Sequence, residues 1–121
     1  MINRRKVRET VLRALYAHQL GKDSTQHVVD TLIKKEKFSE EKELRRFAEK
    51  LFFRSLDHSE ELDEITSKHI RNWDINRLAL IDRLILKMAL CEFVYFEEIP
   101  TKVSINEAIE MAKRYSTAKS G

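Results

Sequence analysis

Four basic residues crowd the first eight positions: Arg4, Arg5, Lys6 and Arg8. The apolar spacing of Val7, Val11, Ala14, Leu15 and His18 puts them in the opening turns of a helix predicted over residues 4–20. Cations there oppose the helix macrodipole, whose N-terminal end is positive, and each costs a few tenths of a kcal/mol at an exposed site. Asp or Glu would suit the position better, so stability alone does not account for them. The chemistry such a cluster performs is contact with phosphate, and a solvated charged end is the alternative. Residues 102–121 carry four further basic residues against two acidic ones.

Other reactive groups are sparse. There is no glycine-rich phosphate loop and no paired-Cys or His/Glu spacing that would hold a metal. The four histidines, 18, 27, 58 and 69, are scattered, and His18 and His69 fall on apolar faces where a satisfied core histidine is the commoner role. The acids lie on helix surfaces with no second catalytic group beside them. Nothing in the residues argues for an enzyme or a cofactor. The single Cys91 sits in an apolar run, which excludes an internal disulfide and suits a reducing, cytoplasmic setting.

Charge is uneven along the 121 residues. The net +3 divides into +5 over residues 1–22, −4 over residues 23–101 and +2 over residues 102–121. A basic end on a slightly acidic body suggests a polyanion partner, nucleic acid first. With 42% hydrophobic residues, two Gly and one Pro, the chain is predicted to form one all-α domain of long helices spanning residues 1–121. No apolar run approaches the ~20 residues of a membrane span, and no signal peptide is visible.

The elements that position these groups follow from periodicity. Asn3 is a candidate N-cap of the first helix and Gly21 a candidate C′ residue. A weaker helix is predicted over 24–36, capped by Ser24, with Val28, Val29, Leu32 and Ile33 inward and a turn at Lys35–Phe38. Ser39, followed by Glu40 and Glu41, is a candidate cap for a helical stretch reaching Ile70, either unbroken or split near Asp57–Ser59. The most apolar stretch, Ile75–Phe96, is predicted to be a central helix buried on most of its circumference, with Asn76, Arg83 and Lys87 on one polar stripe. Arg71–Asp74 connects into it, and Trp73 there is predicted to anchor packing. Asp82 and Glu92 break its apolar surface; each either pairs with a neighbouring element or faces a partner protein. After a loop around Pro100, Ser104-Ile105-Asn106-Glu107 reads as a capping box, with Val103 stapled against Ala108.

Three segments, NRRKVRETVLRALYAHQL, WDINRLALIDRLILKMALCE and IPTKVSINEAIEMAKRYSTAKSG, resemble the NusB family of bacterial transcription antitermination factors. The similarity is strongest over Trp73–Gly121, clear in the first helix and weak between Gly21 and Arg71. It implies an all-α fold of two packed helical halves, binding of boxA-type RNA in nascent ribosomal transcripts, and a heterodimer with the ribosomal protein NusE. Other Nus factors and RNA polymerase would be met indirectly. It also implies that RNA is held by Arg4, Arg5, Lys6 and Arg8 and by Lys113, Arg114, Thr117, Lys119 and Ser120. Asp82 and Tyr16 match positions that the family turns toward NusE. The family continues past Ser-Gly with a further apolar helix opening on Phe-Val-Asn-Gly, whereas this sequence stops at Gly121 through truncation or as a fragment. Uncovered apolar surface is therefore expected on the Ile105–Tyr115 helix.

Two other assignments compete. One is a NusB-like accessory domain of a ribosomal-RNA cytosine methyltransferase, which would need a Rossmann-type domain and a catalytic Cys that these residues lack. The other is a helical protein–protein adaptor.

Overall fold

The computed structural model describes residues 4–21, 24–69 and 79–115. Among them the chain is all-α: α1 Arg4–Gly21, α2 Thr25–Val28, α3 Lys42–Asp57, α4 Ser59–His69, α5 Leu80–Tyr95 and α6 Thr101–Tyr115. A π-helical turn, Val29–Ile33, and a 3-10 turn, Lys37–Glu40, lie between α2 and α3. Contacts divide the chain into two compact units, Met1–Phe53 and Arg54–Gly121. Asn3, Ile70, Arg71–Asp74 with Trp73, Ile75–Leu78, Thr117, Lys119, Ser120 and the side chain of His69 lie outside the described residues.

In the first unit α1 buries Val7, Val11, Ala14 and Leu15, the face that its periodicity marks, against α2 and the π-helical turn. Gly21 is the last helical residue rather than the first beyond it. His18 meets Phe52 edge-on, with ring centroids 6.4 Å apart. Ser24 caps as expected, its hydroxyl accepting from the His27 N–H at 3.1 Å. The helix predicted through residue 36 does not persist. After one α-turn the backbone widens, with the Lys34 N–H donating five residues back to the Val29 carbonyl. The change keeps Val28, Val29 and Ile33 all buried.

Ser39 does not cap α3. Its hydroxyl donates to the carbonyls of Lys34 and Glu36 at 2.8 and 2.7 Å, which closes the 3-10 turn, and α3 starts at Lys42. Ser39 is buried beside Phe38, where a hydroxyl must find a partner, and the local carbonyls are nearest. Phe47, Ala48, Leu51 and Phe52 then form the inner face of α3.

The open choice over residues 39–70 resolves into two helices broken at His58. Glu60 and Glu61 occupy the first turn of α4, where the macrodipole favours acids. In the second unit α5 packs on α4 and α6. Ala79 is extended, at φ −58° and ψ 148°, and caps α5, so the helix begins at Leu80 rather than Ile75. Asp82 thereby falls in its first turn. The predicted polar stripe is not solvated throughout: Lys87 reaches α4, 2.6 Å from the Ser59 hydroxyl and 3.4 Å from Asp63, with its side chain 12% exposed. Cys91 is buried as a small apolar group.

Burial of α5 is less complete than its composition predicts. Phe93 and Val94 are exposed, and Leu86 and Leu90 are half-buried. Phe93, Leu86 and Leu90, together with Ile65, Ala108 and the exposed Ile105 and Ile109, line an apolar groove of about 530 Å³ between α4, α5 and α6.

The capping box does not form. α6 begins four residues earlier, at Thr101, with the Pro100 carbonyl accepting from the N–H groups of Val103 and Ser104 at 2.9 and 3.3 Å. Pro100 cannot donate a backbone N–H, so it suits a helix start and terminates the preceding loop. Ser104 turns inward instead, and its hydroxyl donates to Glu92 Oε1 at 2.7 Å; both residues are 2% exposed. Glu92 thus pairs internally, one of the two roles open to it. Val103 is exposed and staples nothing.

Candidate nucleic-acid interface

The α1 basic turn is ordered by contacts reaching it from α3 and from the residue preceding the 3-10 turn. Arg4, Arg5 and Lys6 are exposed. The Arg4 guanidinium carbon lies 4.7 Å from the centroid of the Phe47 ring, and that of Arg8 lies 5.2 Å from the same centroid. Arg4 and Arg8 are i,i+4 neighbours of like charge, a pairing that by itself destabilises a helix. Contact with the same ring offsets that repulsion, at about 0.5–1 kcal/mol for a cation–π contact at an exposed site. Lys6 Nζ sits 3.7 Å from Glu36 Oε1. Beside it, Lys6, Glu36, Lys37 and Phe38 line a concavity of about 200 Å³.

The four predicted residues therefore differ. Arg4, Arg5 and Lys6 present cationic surface, whereas Arg8 is 2% exposed and in this conformation offers no side-chain surface to a ligand. Lys113 and Arg114 are exposed in the last turn of α6, where cations complement the macrodipole; Lys113 also lies 3.4 Å from Glu110. These two belong to the second unit and the α1 residues to the first. Thr117, Lys119 and Ser120 lie outside the described residues. Of the predicted partner-facing residues, Tyr16 is exposed on α1 and Asp82 is half-buried in the first turn of α5.

Two features of the basic turn escape a reading of the sequence. Phe47 fits the inward face of α3 and is read as core, and nothing local to it signals two arginines from α1. Lys37 falls in a predicted turn, and only the fold sets it beside Lys6.

Among the described residues, one carboxyl and one phenol are shifted from their ordinary values. Hydrogen bonds from Gln26, then Lys34, hold the Asp30 carboxyl below its usual value. Partial desolvation, then the Glu61 carboxylate, push the Tyr95 phenol above its usual value. Among the described residues no group of three or more His, Cys, Asp or Glu side chains is placed to hold a metal ion. No helix among them is long and apolar enough to cross a membrane.

The NusB family model matches residues 5–121. The chain belongs to the NusB family. A relative in Salinibacter ruber (strain DSM 13855 / M31), named transcription antitermination protein NusB, is 46% identical over 121 residues, covering 100% of this chain and 75% of that protein. One of the same name in Chloroherpeton thalassium (strain ATCC 35110 / GB-78) is 38% identical over 120 residues, covering 99% of this chain but 56% of that protein. The chain thus spans three quarters of the first relative and little more than half of the second. The solved structure of NusB from T. maritima superposes with a TM-score of 0.83 at 28% identity, covering 98% of this chain and 82% of that one. The NusB match therefore takes in most of the α1 basic turn and all of α6, which carries Lys113 and Arg114.

Proposed function

We propose that this chain is a transcription antitermination factor that binds single-stranded boxA-type RNA in nascent ribosomal transcripts, as a heterodimer with NusE. The observation that carries the proposal is the NusB family match across residues 5–121, with relatives named for transcription antitermination. The exposed Arg4, Arg5 and Lys6 supply phosphate contacts, with Lys113 and Arg114 as a second basic set. Thr117, Lys119 and Ser120 belong to that second set by resemblance alone, and base discrimination is assigned to the Lys113–Ser120 region. Arg8 supports the first set from beneath. Tyr16 and Asp82 are assigned to the NusE-facing surface.

Single-stranded RNA is read by stacking and hydrogen bonding to exposed bases while basic side chains hold the backbone. Three cations on one exposed helical turn suit the backbone role. The test is a fluorescence anisotropy titration with boxA-type and scrambled single strands, with and without NusE, across a salt series. Binding tightened by NusE is expected. Replacing Arg4, Arg5 and Lys6 with Ala should weaken both RNAs about equally and flatten the log K against log salt slope by roughly 0.7 per lost contact. Absence of RNA binding at low salt, with NusE still bound, would leave a protein–protein adaptor instead.

A further inference from the structure

The four α1 cations are not equivalent, and the difference lies in one aromatic ring. Phe47 is 5% exposed, so it cannot itself be a major contact for a large ligand. Its ring nevertheless meets two guanidinium groups, that of exposed Arg4 at 4.7 Å and that of buried Arg8 at 5.2 Å.

We infer that Phe47 is a positioning residue for RNA binding: it holds the Arg4 guanidinium ready for a backbone phosphate, and buried Arg8 contacts the same ring. This rests on the RNA-binding function proposed above. The chemistry of the guanidinium makes the two contacts compatible. Its π face meets the aromatic ring, while its N–H edge stays available for a bidentate phosphate contact. An ammonium group has no such division between face and edge, so Lys at position 4 would keep the charge and lose the arrangement. An arginine free to rotate loses side-chain entropy on meeting a phosphate, and one already held by Phe47 loses less.

The size of the effect follows from general terms. One single-strand phosphate contact carries a salt slope of about 0.7, equivalent to about fourfold in affinity between 0.15 M and 1 M salt. Immobilising one rotamer-rich side chain on binding weakens affinity by about two- to tenfold. Removing the ring should therefore weaken binding by about two- to tenfold, and act only through Arg4.

A double-mutant cycle tests this on the full chain, by anisotropy with a labelled boxA-type RNA and its scrambled counterpart. The variants are Arg4→Ala, Arg4→Lys, Phe47→Leu, Phe47→Tyr and the Phe47→Leu/Arg4→Ala double, each checked for helicity by circular dichroism. Phe47→Met replaces Phe47→Leu should the latter not fold. The expected result is weakening of both RNAs by Phe47→Leu and by Arg4→Lys, near-normal binding by Phe47→Tyr, and no further effect of Phe47→Leu once Arg4 is Ala. Should Phe47→Leu weaken binding equally with and without Arg4, Phe47 acts only through the fold and the inference fails. It fails too if Arg4→Ala weakens binding and Phe47→Leu does not, while the RNA-binding function stands. If the combined alanine replacement of Arg4, Arg5 and Lys6 changes neither affinity nor salt slope, RNA binding at this end is itself overturned, and the inference with it.

Discussion

Ser104→Ala isolates the contribution of one buried polar contact to the α5–α6 packing. The Ser104 hydroxyl donates to the Glu92 carboxylate at 2.7 Å, and both residues are 2% exposed. That distance is in the range of a charge-assisted O–H···O⁻ bond. Hydrogen bonds to charged groups contribute about 1.5–3 kcal/mol net, and burial keeps solvent from screening this one. Ser to Ala removes a single oxygen, so the cavity term is small, and the better helix propensity of Ala returns a few tenths of a kcal/mol. Glu92 retains a further interaction, so the variant does not strand an unpaired buried charge. The net expectation is a loss of about 1–2.5 kcal/mol.

For a chain of this size each kcal/mol moves the Tm by roughly 3–6 °C, so a fall of about 3–15 °C is expected in a calorimetric or circular dichroism melt. Ser67→Ala, on the exposed side of α4, is the control and should stay within about 0.5 kcal/mol of the parent. Glu92→Gln keeps an acceptor for Ser104 without the charge, and should fall between the parent and Ser104→Ala. A Tm for Ser104→Ala within 1 °C of the parent would show that the hydroxyl adds nothing to the packing. Position 104 would then act as a helix residue and no more.

Three further outcomes are expected. The Asp30 carboxyl, held down by Gln26 and Lys34, should titrate below the usual aspartate value in an NMR pH series. Its contribution to stability is present above that pH and lost as pH falls through the depressed folded-state value, and Gln26→Ala should move the midpoint back up. Asp82→Lys reverses the charge in the first turn of α5, so a destabilisation of about 1 kcal/mol is expected from the macrodipole, together with weaker NusE binding; an unfolded variant would mean that the carboxylate is held internally. Phe93→Gln and Ile109→Gln, both exposed on the apolar groove, should reduce binding of a hydrophobic dye with little change in Tm, and undiminished dye binding would place the accessible apolar surface elsewhere.

What the sequence made readable was governed by local pattern. The α1 face, Val7, Val11, Ala14 and Leu15, was predictable because an 18-residue helix repeats its period several times. Ser24 was predictable because its partner, the His27 N–H, lies three residues on in the helix that it caps. Ser39 and Ser104 show where that logic stops. Both have the residue types of an N-cap, and Ser104 even has its Glu three positions on. Each hydroxyl is buried and is drawn elsewhere, to the Lys34 and Glu36 carbonyls or to Glu92, twelve positions away on α5. A capping motif describes what the backbone lacks locally and carries no information about a carboxylate on another helix. The α5 surface was misjudged for the related reason that apolar composition predicts a demand for burial. Whether Phe93 and Val94 are covered depends on which elements pack there.

The basic turn calls for the same distinction. From the sequence, cations in the first turn of α1 oppose the macrodipole at about 0.3–1 kcal/mol each, with no local compensation in view, which points outward to an anion. The fold supplies compensation that the sequence does not reveal. Phe47 meets Arg4 and Arg8, and Glu36 meets Lys6; contacts of these kinds contribute from near zero to about 1 kcal/mol each, comparable with the dipole cost. Unfavourable placement is therefore not in itself a reason to invoke RNA. What favours RNA is that Arg4, Arg5 and Lys6 remain exposed and lie at the end where the NusB match begins. The same internal contacts that weaken the cost argument hold the cations in fixed positions, and a phosphate chain meets an ordered surface at lower entropic cost than a mobile tail.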